Sequence, residues 1–251
     1  MNNLFDLTGK VAVVTGGNRG LGKEMALGLA SAGADVAVVA RNVTEEVLEE
    51  IRNQGVKAIG INYDIRNVDG YGSLVDQVID QMGKIDILVN NAGVQKRHPA
   101  AEFPKEDWDF VMDINANAVF YLCQTVGKHM LERGKGKIIN IASLLSFQGG
   151  LTVPAYAASK GAVMQFTKSL ANEWAGKGVN VNCIAPGYMA TEMNTALIED
   201  PTRSRQILER IPAQRWGNGR DMQGAAIFLA SDASDYIHGY TLAIDGGWLG
   251  R

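Results

Sequence analysis

Short, nearly unbroken apolar runs rich in β-branched residues alternate along the chain with longer stretches whose apolar positions recur at three- and four-residue spacing. The runs at 11–15, 35–40, 57–61, 85–89, 137–142, 179–184 and 241–244 predict buried strands. The stretches between them predict helices from the turn after the first strand to residue 30, and over about 105–133, 154–175 and 221–231. Glu45, Glu46, Glu49 and Glu50 fit the solvated face of one more. Such alternation implies an α/β fold, a doubly wound parallel sheet with helices on both faces. No linker, repeat or low-complexity stretch divides residues 1–251. Residues 188–218 are more polar, carry Pro201 and Pro212 and lack a strand pattern, which predicts a substrate loop with a short helix.

The turn after the first strand reads Gly16-Gly17-Asn18-Arg19-Gly20-Leu21-Gly22 and opens a helix. Glycines there permit a tight turn, let backbone N–H groups approach a pyrophosphate and let the helix pack on the strand. Their spacing is Gly-x-x-x-Gly-x-Gly rather than the commoner Gly-x-Gly-x-x-Gly, so the flanking strand and helix carry the reading. About 20 residues further on, a dinucleotide site reads its adenosine ribose, and an acid there would repel a 2′-phosphate. Here the second strand ends Ala40-Arg41-Asn42, with no acid before Glu45. Arg41, with Arg19 from the turn, can pair with a phosphate through its planar guanidinium fork. The local charges therefore favour NADP, with NAD the alternative.

The densest chemistry lies between Ser143 and Lys160. Tyr156 and Lys160 stand four apart on the helix predicted to begin at Pro154, so they share a face. Ser143 follows the preceding strand. A Tyr-x-x-x-Lys pair with a serine thirteen residues upstream is expected by chance about 0.01 times in this composition, against roughly 0.3 for the pair alone. A free phenol has a pKa of about 10, and bringing it near neutrality requires about 4 kcal/mol. One ammonium at about 6 Å supplies roughly 3 kcal/mol at an effective dielectric of about 20. Lys160 alone falls short, and an oxidised nicotinamide ring would be the second positive charge. Asp64, after the third strand, is a candidate for the adenine amino group. Asn90-Asn91-Ala92-Gly93 follow the fourth strand, where small residues let a cofactor lie against backbone. Asn115 interrupts a helical pattern and so marks a kink, a buried polar contact or an exposed position.

Composition narrows the classes. Net charge is −3 with no basic stripe, which argues against nucleic acid or an anionic membrane as partner. Cys123 and Cys183 stand in apolar surroundings as buried filler and make no disulfide framework. His98, His129 and His238 lack metal-ligand spacing, so no metal site is expected. No apolar run nears the roughly 20 residues that span a bilayer. With no leader-like start, a soluble cytoplasmic protein is the expectation.

In order along the chain, the glycine turn, Asn90-Asn91-Ala92-Gly93, Asn115, Ser143, Tyr156, Lys160 and Pro186-Gly187 resemble the short-chain dehydrogenases/reductases over essentially the full length. The resemblance implies a single Rossmann-type domain, usually assembled as a homotetramer, and hydride transfer between a nicotinamide and a secondary alcohol or ketone. It implies Tyr156 as acid/base and Ser143 as the group that orients the substrate oxygen. Lys160 would lower the phenol pKa while binding the nicotinamide ribose, and Asn115 would hold a water in a proton relay. Gly16, Gly20 and Gly22 would face the cofactor phosphates, Asp64 and Asn91 the adenosine, and Ile184, Pro186, Gly187 and Thr191 the nicotinamide. Asn18, Arg19, Leu21, Arg41, Asn42, Ile65, Ala92 and Gly93 complete the expected cofactor wall.

A narrower likeness rests on residues 143–150, 171–175, 185–191, 210–217 and 245–249. These are similar to the family's sugar-acid dehydrogenases, which act on 2-dehydro-3-deoxygluconate and gluconate. Arg97 is then the candidate for the substrate carboxylate and Gln148 for a hydroxyl. That group is commonly taken to use NAD, whereas Arg19 and Arg41 point to NADP. The competing readings are a reductase of 3-oxoacyl thioesters or other ketones, and an NADP-sensing module without catalysis. The latter typically lacks the tyrosine or lysine present here.

Overall fold

The computed structural model describes residues 3–251. Strand β1 (Val11–Thr15) leads into helix α1 (Gly20–Ser31), β2 (Asp35–Ala40) into α2 (Glu45–Arg52), and β3 (Ala58–Asn62) into α3 (Tyr71–Met82). After β4 (Ile87–Asn90) come α4 (Lys105–Met112) and α5 (Ala118–Arg133), and β5 (Gly136–Ile141) leads into α6 (Pro154–Trp174). β6 (Val179–Pro186) is followed by α7 (Thr195–Glu199), α8 (Pro201–Arg210) and α9 (Gln223–Ala230) before β7 (Thr241–Ile244). The seven strands form one sheet in the order β3-β2-β1-β4-β5-β6-β7, with every pairing parallel.

The apolar runs are unbroken because both faces of the sheet are covered. Side chains alternate across a strand, so β1 sends Val13 into the layer with α3, α5 and α6, and Ala12 and Val14 into the layer with α1, α2 and α9. Helix ends follow local chemistry. Pro154 occupies the first turn of α6, where its missing N–H costs nothing. Gly83 and Gly134 close α3 and α5 at φ 86 and 65, in the left-handed region that favours glycine.

Three stretches differ from the sequence reading. Helix α3, over Tyr71–Met82, was not among the helices expected. The helix expected over 105–133 breaks at Asp113–Asn117, a π-helical turn in which the Ala118 N–H bonds to the Asp113 carbonyl. The segment 188–218 holds two α-helices rather than one, and its ends meet through a bridge between Met189 and Gly217. A third apolar cluster, Leu144, Ile207, Ile211 and Trp248, seats α8 against the loop after β5 and the residues after β7.

Candidate active site

In open parallel sheets, ligands occupy the crevice beyond the strand ends where the strand order reverses. Here β1 lies between β2 and β4, and the crevice at that point is a cleft of about 930 Å³. The glycine turn forms its floor. Gly16 and Gly20 adopt φ 64 and 55, and at Gly20 a Cβ would meet nothing within 4 Å. Gly22 does not face the cleft as expected for a phosphate contact. A Cβ there would stand 2.2 Å from the Gly16 carbonyl oxygen and 2.4 Å from Asn91 Nδ2, so this glycine lets α1 close against the turn.

The turn is stitched to its neighbours. Asn91 Nδ2 donates to the Thr15 and Gly16 carbonyls at 3.0 and 3.3 Å, and Thr15 Oγ1 accepts from the Asn91 and Ala92 N–H groups at 3.0 and 3.1 Å. Asn18 Nδ2 donates to the Asn42 carbonyl at 3.1 Å, tying the turn to the loop after β2. Arg41, Asn42, Asp64, Ile65, Leu21, Gly93, Pro186, Gly187 and Thr191 also line the cleft, whereas Ile184 is buried within β6 away from it. Asp64 is held by Arg66 at 2.6 Å, and that charge-assisted bond is the chief cause drawing its carboxyl down to about 2. Arg19 reaches Glu192 at 2.5 Å, although both side chains are largely exposed.

Tyr156, Lys160 and Ser143 converge on this cleft. Lys160 is buried, its Nζ donates to the Ile141 carbonyl at 2.6 Å and lies 5.7 Å from the centre of the Tyr156 ring. Burial lowers its pKa to about 8. The phenol of Tyr156 is not lowered: burial is the larger influence and raises its pKa, with the Ser143 hydroxyl pulling the other way. The lowering expected from Lys160 is not seen, and the phenol needs a further positive neighbour to act as a base near neutral pH.

Asn115 lies behind the cleft wall, fully buried. Its Oδ1 accepts from the Val94 N–H and its Nδ2 donates to the Val94 carbonyl, both at 2.8 Å, and to Ser159 Oγ at 3.2 Å. It is therefore both the kink and the buried polar contact, locking the π-turn to α6 and to the loop after β4. Ser146, which the sequence did not single out, bridges Ser143 and Lys160: its Oγ accepts from the Ser143 N–H at 3.3 Å and donates to the Lys160 carbonyl at 2.7 Å.

Arg97 and Gln148 line the cleft, with Arg97 exposed. Tyr188, Arg203, Arg210 and Trp248 join them unanticipated. Arg210 and Trp248 fall inside motifs that carried the narrower likeness, which was the available signal. Among the described residues no group of three or more His, Cys, Asp or Glu side chains could hold a metal ion, and no helix is long and apolar enough to cross a membrane. The Cys123 and Cys183 thiols are pushed up by burial to about 12 and about 11, so neither is a ready nucleophile.

A glycine turn at the switch point, with a tyrosine and a lysine on the helix after the fifth strand, defines a dinucleotide-binding oxidoreductase. Residues 10–202 match the short chain dehydrogenase family, and the chain belongs to it. It is 52% identical to the 2-dehydro-3-deoxy-D-gluconate 5-dehydrogenase of Dickeya dadantii over 99% of both chains. An Agrobacterium tumefaciens structure with bound NADP, provisionally assigned as a 2-deoxy-D-gluconate 3-dehydrogenase, superposes with a TM-score of 0.93 at 50% identity over the whole of both chains. A Burkholderia cenocepacia gluconate 5-dehydrogenase in complex with NADP and tartrate superposes at 0.94 with 42% identity, covering 99% of this chain and 98% of that one.

Proposed function

We propose that this protein is an NADP-dependent oxidoreductase interconverting a secondary alcohol and a ketone of a sugar acid of the 2-dehydro-3-deoxygluconate or gluconate class. The observation that carries the reading is one continuous cleft, with Arg41 and the glycine turn in its wall, Tyr156 and Lys160 beside them, and further arginines beyond. The residues present fit a nicotinamide dinucleotide: the space open at Gly20 and the side-chain-free cleft lining at Gly93 and Gly187 admit close approach of a flat or charged group. When bound, that group supplies the carbon that gives or takes the hydride.

Gly16 and Gly20, with Asn18, Arg19 and Leu21, border the phosphates, Arg41 and Asn42 the 2′-phosphate, and Asp64, Ile65 and Asn91 the adenosine. Ala92, Gly93, Pro186, Gly187 and Thr191 border the nicotinamide half. Tyr156 takes the hydroxyl proton of the alcohol in oxidation and returns it to the ketone oxygen in reduction. Ser143 orients that oxygen. Lys160 holds the nicotinamide ribose and keeps the tyrosinate from being reprotonated too readily, and the π-turn at Asn115 holds the water that passes the proton on. Arg97, exposed at the rim, adds positive field for an anionic substrate, and Gln148 reads a hydroxyl. A cytoplasmic homotetramer is the expected setting, with α4, α5 and α6 supplying the contacts; Trp108 and Tyr121 on the first two are exposed.

The test is a dehydrogenase assay over a panel of aldonates and their keto derivatives with each coenzyme. Turnover of a sugar acid with NADP, lost in Tyr156→Phe by about a thousandfold in kcat, is the expected result. Activity confined to acetoacetyl thioesters would replace the sugar-acid reading.

A further inference from the structure

Helix α8 turns Arg203, Gln206, Ile207 and Arg210 toward the cleft, the i, i+3, i+4, i+7 face. Arg203 donates to Gln206 Oε1 at 2.9 Å, and Arg205, elsewhere on the helix, pairs with Glu209. Arg210 has no ion pair among the described residues. Its guanidinium instead lies 4.0 Å from the centre of the Trp248 ring. That indole is itself fixed: it is 4% exposed, packs with Ile207 and Ile211, and stands 4.7 Å from the Tyr188 ring. Its Nε1 donates to Gln148 Oε1 at 3.2 Å. An indole N–H can only donate, so the Gln148 amide must present its oxygen there, and its NH₂ is left to donate elsewhere.

Stacking holds a guanidinium plane in place while leaving its N–H edge free for a planar anion. A cation fixed in that way loses less freedom on binding than one on an exposed loop, such as Arg97. We infer that Arg210, laid on the Trp248 indole, is the residue that holds the substrate carboxylate, with the Gln148 amide donating to an oxygen further along the sugar acid. Trp248 acts through both and is a positioning residue. This assignment rests on the sugar-acid reading and sharpens it, because it names the group that separates an aldonate from the neutral polyol of the same stereochemistry.

The test uses the full chain carrying Arg210→Met, Arg210→Lys or Trp248→Phe, with the aldonate turned over best by wild type, the matching polyol, and NADPH binding followed by fluorescence. For Arg210→Met the KM for the aldonate should rise about 30-fold or more, as expected for a lost charge-assisted pair. In the same variant kcat should stay within about threefold, because a carboxylate remote from the reacting carbon is bound alike in ground and transition states. NADPH affinity and melting temperature should hold, and any turnover of the polyol should be unchanged. Arg210→Lys should recover only part of the loss, since an ammonium has no fork, and Trp248→Phe should raise KM by a smaller factor. If wild type turns over the aldonate and Arg210→Met leaves its KM within about threefold, the assignment is overturned while the sugar-acid reading stands. An equal loss on acid and polyol would reduce Arg210 to a general structural role and overturn it too. If wild type neither binds nor turns over any aldonate but reduces a neutral ketone, both readings fall together.

Discussion

Lys160 illustrates how a functional group can work against the stability of its own fold. Burial draws its ammonium from 10.5 to about 8, so the folded pKa lies below the unfolded one. Below about 8 both states carry the charge and the native chain bears the full cost of desolvating it; that cost fades as pH rises from about 8 toward 10.5. Lys160→Met should therefore stabilise the protein at pH 7 by roughly 1 kcal/mol, net of the donor lost to the Ile141 carbonyl, while abolishing turnover. Thermal denaturation at pH 7 and 10 checks the sign, because the gain should shrink at the higher pH. Arg41 offers a second residue-scale test. Arg41→Ala should weaken NADPH about 10- to 100-fold, the worth of a charged fork on a phosphate, and leave NADH nearly unchanged; equal losses would refute the phosphate assignment. Ser143, Tyr156 and Lys160 were legible in the sequence because one loop and one helical turn set their relation. The Gln148 to Trp248 contact spans 100 residues, and no local pattern reports it.

At the scale of elements, the packing of α1 on the glycine turn is the most exacting contact around the cleft. A methyl at Gly22 would overlap the Gly16 carbonyl at 2.2 Å, and backbone cannot swing aside as a flexible side chain can. Gly22→Ala should force α1 away from β1, costing about 1–3 kcal/mol of stability as an overpacked contact and weakening NADPH by more than about tenfold. Calorimetry and a fluorescence titration read the two effects, and an unchanged cofactor affinity would show that the turn does not depend on the helix. Strands β1, β2 and β7 were readable to the residue, since apolar β-branched runs between glycines and polar turns leave little choice. The break at Asp113–Asn117 was readable only as one of three alternatives at Asn115, because apolar spacing runs on through it and a π-turn shifts register without a proline or glycine to announce it. Helix α8 buries only Ile207, so its periodicity was faint, although Asp200 and Pro201 are a capping pair that marks its start.

Across the whole molecule the two ends of the sheet divide the labour. Alternating patterns gave parallel strands but not their order, which depends on which crossovers pack, and that order puts the cleft at one end. At the other end Asp86, nearly buried, joins three elements: it accepts from the Val11 N–H at 2.9 Å and pairs with Arg133 at 2.8 Å and Lys84 at 3.0 Å. Burial alone would raise its pKa, but the two cations and the amide together outweigh it, and the carboxyl is held below its ordinary range. A depressed carboxyl contributes stability that is fully present above its unfolded pKa of about 3.9 and is lost as pH falls through the folded value. Asp86→Asn keeps the shape and removes the charge, so at pH 7 it should cost roughly 2 kcal/mol, or about 4–8 °C in melting temperature. The gap to wild type should close as the medium is acidified below the unfolded pKa, because protonation then does to the native carboxyl what the substitution did. NADPH affinity should not change, since the strand starts that Asp86 ties together lie a full strand length from the cleft. A gap that stayed constant with pH would mean that Asp86 acts by shape alone, and a loss of cofactor affinity would mean that the two ends of the sheet are coupled.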